Sequence, residues 1–557
     1  MSTHAGSAAQ GPIRPQVTAD SVGFWEGCRE GVLRLPACED CGYVLYPPGP
    51  ICPRCPSRSL APRDLEPEGR VYSLTVSHQP ARPDLPVPYT IAIVELDAAP
   101  EVRMTLRVRP ADQHAELAIG DRVRIGFEHV DDDFAVPVAD PLAGEAGGDR
   151  HRSELGRVTF ARVSGDKPEH RAVIAGVGQS AVGRRLMRSE LDLTVDAALA
   201  AIADAGLAPG DIDGIAAYPG AGVGPPGYAG PHTDEVAAAL GLELAWHRAG
   251  AEGAGQLQPI IDAVLAVAGG LCTHALVYRT SIESTVAAAM RAGIMAPPPV
   301  GPAGGFTEWL LPFDAVTPAH WLAPYAARHQ HQFGTTRAQL GAIALTARAN
   351  AARTPGAVMT EPLTMDEYLA SRPIATPLHL LDCDVPVDGS TAVVVSRADR
   401  AADLPGPAVR IEAMGTGVGL RPSWHQWPDL TTMAASGAAA TMWARTDLTP
   451  ADVDVAQLYD GFSFLALFWL EALGFCEHGD GGPFVEGGGR IALGGELPLN
   501  TGGGQLSGGR LHGWGLLREA CLQLRGQATG RQVDAEVAVV STGGGPVAGC
   551  LLLTRAG

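Results

Sequence analysis

Three groups of residues in this chain have types and spacings that can do chemistry. Cys38-x-x-Cys41 and Cys52-x-x-Cys55 are separated by ten residues. Two such knuckles supply four soft thiolates in the tetrahedral arrangement that zinc takes. Four cysteines fill the shell, so the expected zinc is structural, because a catalytic zinc needs an open position. The second group is the glycine-rich run Gly503-Gly504-Gln-Leu-Ser507-Gly-Gly-Arg510-Leu-His512-Gly513. It combines a backbone that can approach a ligand closely with a permanent cation and an imidazole able to transfer protons near neutral pH. The third is Ser541-Thr542-Gly543-Gly544-Gly545, again a serine beside permissive backbone. By contrast, His329 and His331 read as a surface or pocket-edge segment. Their spacing on a predicted helix puts the two imidazoles on different faces.

These groups need elements to position them. Gly42, Pro47, Pro48 and Pro53 punctuate the cysteine ribbon. Four branched or alternating runs follow, at Val71–Val76, Tyr89–Leu96, Val102–Val108 and Arg122–Phe127. Several short strands in about sixty residues predict a small barrel of the OB type. Asp140–Asp149, rich in Gly and acidic residues, reads as a solvated linker. A buried strand ending in glycines starts at Val173, and a helix is predicted over Leu191–Ala205. Leu207-Ala-Pro-Gly-Asp211-Ile-Asp213 recurs as Leu448-Thr-Pro-Ala-Asp452-Val-Asp454, 241 residues later. That interval is too long for a solenoid and predicts two related α/β halves. Leu271–Tyr278 and Thr391–Val395 read as buried strands, and Cys272, Cys383, Cys521 and Cys550 as core residues.

Composition bounds the function. The chain has 557 residues and a formal charge of −20, with 46% hydrophobic and 18% charged residues. It is not a disordered chain. Its acidity, including Asp131-Asp132-Asp133, argues against a nucleic-acid role for the barrel. Gly and Pro total 114 residues, which implies many tight turns. No apolar run approaches the roughly 18 residues of a membrane span, and the first residues lack a signal layout, so a cytoplasmic protein is expected. The ten cysteines do not form a secreted disulfide framework. No nicotinamide or flavin fingerprint is evident.

Two resemblances follow from these motifs. Phe24-Trp25-x-Gly27, Leu33, the cysteine pairs and the barrel resemble the zinc-ribbon/OB-fold proteins that accompany thiolase-like acyl-CoA enzymes. Leu458-Tyr459-Asp460-Gly461-Phe462-Ser463, then Gly474-Phe475-Cys476, then Leu497-Pro-Leu-Asn500-Thr501-Gly-Gly-Gly-Gln-Leu506-Ser507 resemble the sterol-carrier type of the thiolase superfamily. The implied architecture is α/β. A rubredoxin-like zinc ribbon and OB barrel (residues 1–165, linker included) precede a thiolase fold of two α/β halves layered αβαβα (170–557). The resemblance also implies a homodimer. The two units usually occur as separate chains in this family and are fused here.

Thiolases use a nucleophilic cysteine, a histidine and an acid/base cysteine. At these positions the resemblance places Gly250 or Ala251, Arg510 and Ser541. Acyl-cysteine chemistry is therefore unavailable. The chain resembles the steroid side-chain aldolases, which cleave a β-hydroxyacyl-CoA by a retro-aldol reaction. The implied acid/base is Tyr459, with His512 and Arg510 assisting. A second tyrosine of that group falls near Arg510, where this chain departs. Gly503, Gly504, Gly543 and Gly544 are candidates for contact with the coenzyme A thioester substrate. Plainer roles stand beside these: Asp460 capping the following helix, Glu252 capping a helix from Gly253 to Val267, Ser541 shaping the site, and Arg510 in a structural salt bridge. Two other functions stay open, a cysteine-independent acyltransferase of natural-product type and a non-catalytic lipid or acyl-CoA carrier.

Overall fold

The computed structural model describes residues 11–109, 117–146, 160–251, 255–298, 301–419 and 423–555. The ribbon opens with helix α1 (Val22–Glu30), then strands β1 (Leu33–Cys38) and β2 (Leu60–Leu65), paired antiparallel. Gly27 lets α1 lie against β1, since a Cβ there would stand 2.7 Å from that of Arg34. Strands β3 (Glu68–Ser77), β4 (Tyr89–Leu96), β5 (Arg103–Val108), β6 (Asp121–Asp131) and β7 (Phe134–Ala146) form the barrel. It closes because β3 pairs with both β4 and β6. All four expected strands are present. The linker reading is corrected. β7 continues through Asp140–Ala146, held in register against β6 as far as Asp121↔Ala146. Backbone pairing overrides the Gly-rich composition there, while 147–149 lie outside the described residues.

The larger body holds β8 (Ala172–Gln179), α2 (Glu190–Asp204), β9 (Gly214–Ala217), α3 (Thr233–Leu240), β10 (Trp246–Ala249), α4 (Gln258–Ala268), β11 (His274–Ile282) and α5 (Glu283–Arg291). An insertion follows with α6 (Pro318–Phe333), α7 (Arg337–Ala351), α8 (Met365–Leu369), β12 (Pro373–Ala375) and β13 (Leu378–His379), before β14 (Asp388–Arg397) completes the first half. The second half holds β15 (Val409–Val418), α9 (Ala434–Trp443), β16 (Val455–Gln457), α10 (Ser463–Ala472), α11 (Gly481–Val485), α12 (Trp514–Leu524), β17 (Val537–Gly544) and β18 (Val547–Arg555). Strand order is β10-β9-β11-β14-β8-β15-β18-β17-β16, the halves meeting at β8–β15. Helices α4 and α12 share one core with strands from both halves. α2 packs on the outer face of the first half, and α9 and α10 on that of the second. This is the expected αβαβα layering.

The repeat has a structural meaning. Asp211 and Asp452 each accept a backbone N–H three residues earlier, at 2.7 and 2.8 Å. Asp213 accepts the N–H groups of Thr273 and His274, at the start of β11. Asp454 does the same for Glu536 and Val537, at the start of β17. A glycine pair also recurs. Cβ atoms at Gly176 and Gly178 would stand 2.2 and 2.3 Å from α2 carbonyl oxygens, and at Gly415 and Gly417 2.1 Å from those of α9. Both halves thus bring a helix unusually close to the strand that starts them.

The barrel docks on this body through apolar contacts, with Trp309 and Phe313 in the barrel core, and through polar ones. Ala375 of β12 pairs with Ser77, extending the barrel sheet. The Ser73 hydroxyl donates to the Pro324 carbonyl at 2.6 Å and Thr75 to that of Thr376 at 2.7 Å. Ser77 meets His320 Nε2 at 2.8 Å, and Thr105 meets His425 Nδ1 at 2.7 Å. The Tyr72 ring lies between the guanidinium groups of Arg103 and Arg328, at 3.5 and 4.4 Å from its centre.

The His329 segment differs from its expectation. Its two imidazoles do point to different faces of α6, and His331 is exposed. His329, however, is fully buried, between Thr335 at 2.8 Å and Glu471 at 2.9 Å. A buried carboxylate partner is what made that possible, and sequence spacing does not reveal it. The close helix–strand contact gives a test: Gly417→Ala should lower stability by about 1–3 kcal/mol or more through overpacking. Thermal melting of the two proteins would show it, and an unchanged melting temperature would refute the close packing.

Candidate active site

The site lies where the first turns of α4 and α12 meet the ends of β16 and β17. Tyr459 follows β16. Its strand is extended by Asn500, whose amide accepts the Leu458 N–H at 2.7 Å and donates to the Leu458 carbonyl at 2.9 Å. The Tyr459 N–H donates to the Ser541 hydroxyl at 3.0 Å, so Ser541 shapes the site as expected. The Tyr459 hydroxyl accepts from Gln256 Nε2 at 3.4 Å, just before α4. Burial pushes this phenol well above its usual range, and the nearby Asp384 and Tyr228 push the same way.

Asp460 does not cap α10, which corrects the plainer expectation. Its carboxylate instead accepts the N–H groups of Gln505 at 2.8 Å and Leu506 at 3.4 Å, fixing the glycine-rich loop. Phe462, not Asp460, precedes α10, so the aspartate lies two residues too early to cap it. Burial pushes Asp460 up to about 7.

Arg510 occupies the middle of a charge cluster. It reaches Glu283 Oε1 and Asp384 Oδ1, both at 3.0 Å. Glu283 also meets His512 Nε2 at 3.2 Å through its second oxygen. Burial alone would raise the Glu283 carboxyl, but its bond to His512 and the charge of Arg510 bring it down to about 2. Burial pushes His512 down to about 3, helped by the charge of Arg279, so the ring is neutral at pH 7 and donates Nε2–H to Glu283. His512 has φ +53, and Gly513 after it has φ +86. A Cβ at Gly513 would strike Thr542 at 2.3 Å, so only glycine fits. Asp384 is pushed up to about 6 by burial, against the pull of Arg510. Trp514 Nε1 donates to the Gln256 carbonyl at 3.1 Å and ties the two helix starts together.

The structure therefore brings Tyr459, Arg510 and His512 into one site. The four glycines expected near the thioester are packed tightly by protein. Cβ atoms would meet Ala351 at 2.6 Å from Gly503, Asp460 at 1.9 Å from Gly504, Val547 at 2.6 Å from Gly543 and Leu465 at 2.7 Å from Gly544. Gly250 and Ala251 follow β10, and Glu252 and Gly253 lie outside the described residues. Sequence reasoning missed Glu283, Asp384, Gln256, Tyr228 and Arg279. Only Arg279 carried a signal, as a charge inside the apolar strand β11. In the ribbon, the Cys38–Cys55 and Cys41–Cys52 sulfur atoms are 3.5 and 3.6 Å apart, and all four lie within 4.8 Å. They are positioned for one metal ion.

Two α/β halves closed on shared buried helices, with a ribbon and a barrel docked on them, define a thiolase-like class. Residues 420–551 match the thiolase C-terminal domain-like family, 62–128 the ChsH2 C-terminal OB-fold domain and 25–61 the ChsH2 rubredoxin-like zinc ribbon domain. The chain is 34% identical over 401 residues to the steroid side-chain-cleaving aldolase of Thermomonospora curvata, covering 68% of this chain and 97% of that one. It is 34% identical over 394 residues to the 17-hydroxy-3-oxo-4-pregnene-20-carboxyl-CoA lyase of Mycobacterium tuberculosis, covering 68% and 98%. It is also similar to the solved Ltp2-ChsH2(DUF35) aldolase, at 33% identity and a TM-score of 0.60, covering 69% and 98%. The chain belongs to this aldolase family of the thiolase superfamily, with a ribbon and OB barrel in the same polypeptide.

The neutral state of His512 has a pH consequence. A folded value near 3, against an ordinary 6.5, means that stability is lost as pH falls from 6.5 towards 3. Asparagine tolerates the left-handed backbone at this position. The melting temperature of His512→Asn relative to wild type should therefore rise on acidification from pH 7 to 4.5. A difference that stays flat would mean that His512 is not held neutral.

Proposed function

We propose that the chain is a carbon–carbon lyase that cleaves a β-hydroxyacyl-CoA by a retro-aldol step, or forms it in reverse. The observation that carries this reading is Tyr459, buried at the joined starts of α4 and α12 beside the Arg510 cluster. In the retro-aldol direction the bond between the α- and β-carbons breaks. Its electron pair moves into the thioester as an enolate. Tyr459 remains protonated because burial and the Asp384 carboxylate disfavour its phenolate. It is thus suited to give its proton to the α-carbon. Arg510 and the positive ends of α4 and α12 favour the negative charge of the enolate. Neutral His512 holds Glu283, which holds Arg510 in turn.

The acyl group is of the branched β-hydroxy type. The Mycobacterium tuberculosis relative is named for a steroid ester whose 17-hydroxyl is β to the thioester, which supports a steroid-like substrate here. The ribbon holds a structural zinc. Tetrahedral zinc–sulfur bonds of about 2.3 Å place sulfur atoms roughly 3.8 Å apart, close to the observed spacing. We further assign residues 1–165 and 170–557 to two units, a homodimer to the thiolase-like one, and a cytoplasmic setting, supported by cysteines that are all unpaired. No described helix is long and apolar enough to cross a membrane.

Two measurements test this. Purified protein incubated with branched β-hydroxyacyl-CoA esters, steroid esters included, should release a shorter acyl-CoA and a ketone or aldehyde. Tyr459→Phe should slow this about 10²–10⁴-fold. A covalent acyl-enzyme in mass spectra would favour the acyltransferase instead, and ester binding without turnover the carrier. Elemental analysis should find one zinc per chain, lost in Cys52→Ser together with ribbon stability.

A further inference from the structure

Beside Tyr459 the site holds polar atoms that the protein leaves unengaged. Gln505 Nε2, the Thr542 hydroxyl and Gln256 Oε1 are buried and have no hydrogen-bond partner among the described residues. The Gln505 residue is 2% exposed and Thr542 0%. Buried polar groups are as a rule hydrogen-bonded, so three orphaned atoms in one place point to a polar ligand. The neighbouring groups have partners of their own. Arg510 divides its charge between Glu283 and Asp384. His512 commits Nε2 to Glu283, and the Tyr228 ring meets His512 edge-on at 4.8 Å and the Arg279 guanidinium at 4.7 Å.

Gln505 is held so that its amide protons face one way. It lies in a single π turn, Gly504–Gly508, a form that recurs at functional sites. Its backbone N–H donates to Asp460 at 2.8 Å, and its carbonyl accepts the Val385 N–H at 3.1 Å. Its side-chain Oε1 accepts the Gly513 N–H at 3.0 Å. That bond fixes the amide orientation, since a turned amide would set N–H against N–H. Nε2 is then the one polar atom of the residue left over. Burial raises the Tyr459 phenol most, and the Gln505 amide stands near enough to pull it back without a hydrogen bond to it. A Cβ on Gly513 would stand 3.4 Å from the Tyr459 ring, and one on Gly255 3.9 Å from the Thr542 hydroxyl. The orphaned atoms thus gather where the starts of α4 and α12 meet.

We propose that Gln505 is a catalytic residue whose amide N–H donates to the thioester oxygen as the enolate forms. This rests on the aldolase reading. When the bond between the α- and β-carbons breaks, its electron pair ends on that oxygen, which can only accept hydrogen bonds. Nε2 can only donate, and it is held in place before the reaction. A donor fixed in advance is most effective in a site that excludes water. The contact strengthens as charge grows on the oxygen, so it lowers the barrier more than it improves binding. Gln505 gives up no proton, and Tyr459 remains the acid for the α-carbon.

Two variants separate this role from one of anchoring Gly513. Gln505→Met removes the donor with little change in volume. Its kcat for cleavage should fall about 10²–10³-fold, while affinity for the β-deoxy acyl-CoA analogue is little changed. Exchange of the α-hydrogens of the short acyl-CoA product in D₂O passes through the same enolate and should fall with it. Gln505→Glu keeps an oxygen for the Gly513 N–H but turns a second oxygen towards the substrate, so it should also be slow. Its rate relative to wild type should rise on acidification, as the carboxyl gains a proton to donate. Cleavage near the wild-type rate in Gln505→Met, or in Gln505→Glu at alkaline pH, overturns the assignment. Loss of cleavage with exchange intact also overturns it, because the enolate then forms without Gln505. Loss of analogue binding in both variants overturns it too, as collapse of the site. A wild-type protein that cleaves none of the esters overturns the aldolase reading and this assignment with it.

Discussion

The indole N–H of Trp514 donates to the carbonyl of Gln256, and this bond joins the first turns of the two helices that the whole molecule encloses. Each helix is buried against strands of both halves. Their positive ends therefore converge on one point, where water is largely excluded and an anion is favoured. A thiolase would use that point for a thiolate. Here a phenol and a guanidinium stand around it, which suits chemistry in which negative charge develops on substrate rather than on a nucleophile.

The charges at this point are paired rather than free. Arg510 lies between two carboxylates, one of which also holds His512. Removing one partner from such a cluster leaves an uncompensated buried charge, typically costing about 3–5 kcal/mol. The cluster is thus stiff, and stiffness keeps catalytic groups aimed. Arg279 is the exception, since its buried neighbours are aromatic faces and backbone carbonyls.

The ribbon and barrel meet the larger body through an apolar seam, in which Trp309 and Phe313 join the barrel core and Leu310 and Ala315 pack on Leu85, Tyr89 and Ile91, and through hydroxyls, imidazoles and a shared strand pairing. Ser73, Thr75 and Ser77 alternate along β3 with residues of the barrel interior, and each finds a partner across the boundary. Burial pushes His320 and His425 down to about 4, so both are neutral acceptors or donors at neutral pH. The polar part of this interface is directional, as hydrogen bonds are, and fixes one docking geometry.

Local chemistry was legible in the sequence. Paired cysteine spacing, alternating strands, the repeated Leu-x-Pro turn with its two aspartates, and the Tyr459 and glycine-loop motifs all depend on neighbours a few residues away, so they can be read along the chain. The sequence thereby determined a ribbon, a barrel, two α/β halves and the lack of a cysteine nucleophile. Partnerships across long separations were not legible. Glu283 and Asp384 carry no local sign that they flank Arg510, His329 none that it meets Glu471, and Tyr228 none that it stands over Arg279 against His512. Asp460 and Asp140 misled for the same reason, because a distant loop and a paired strand outweighed what their own neighbours suggested. The tertiary structure decided which charges are neutralised, which histidines are neutral and which tyrosines face one another, because burial and proximity set those properties and both arise only when the halves close on their two shared helices.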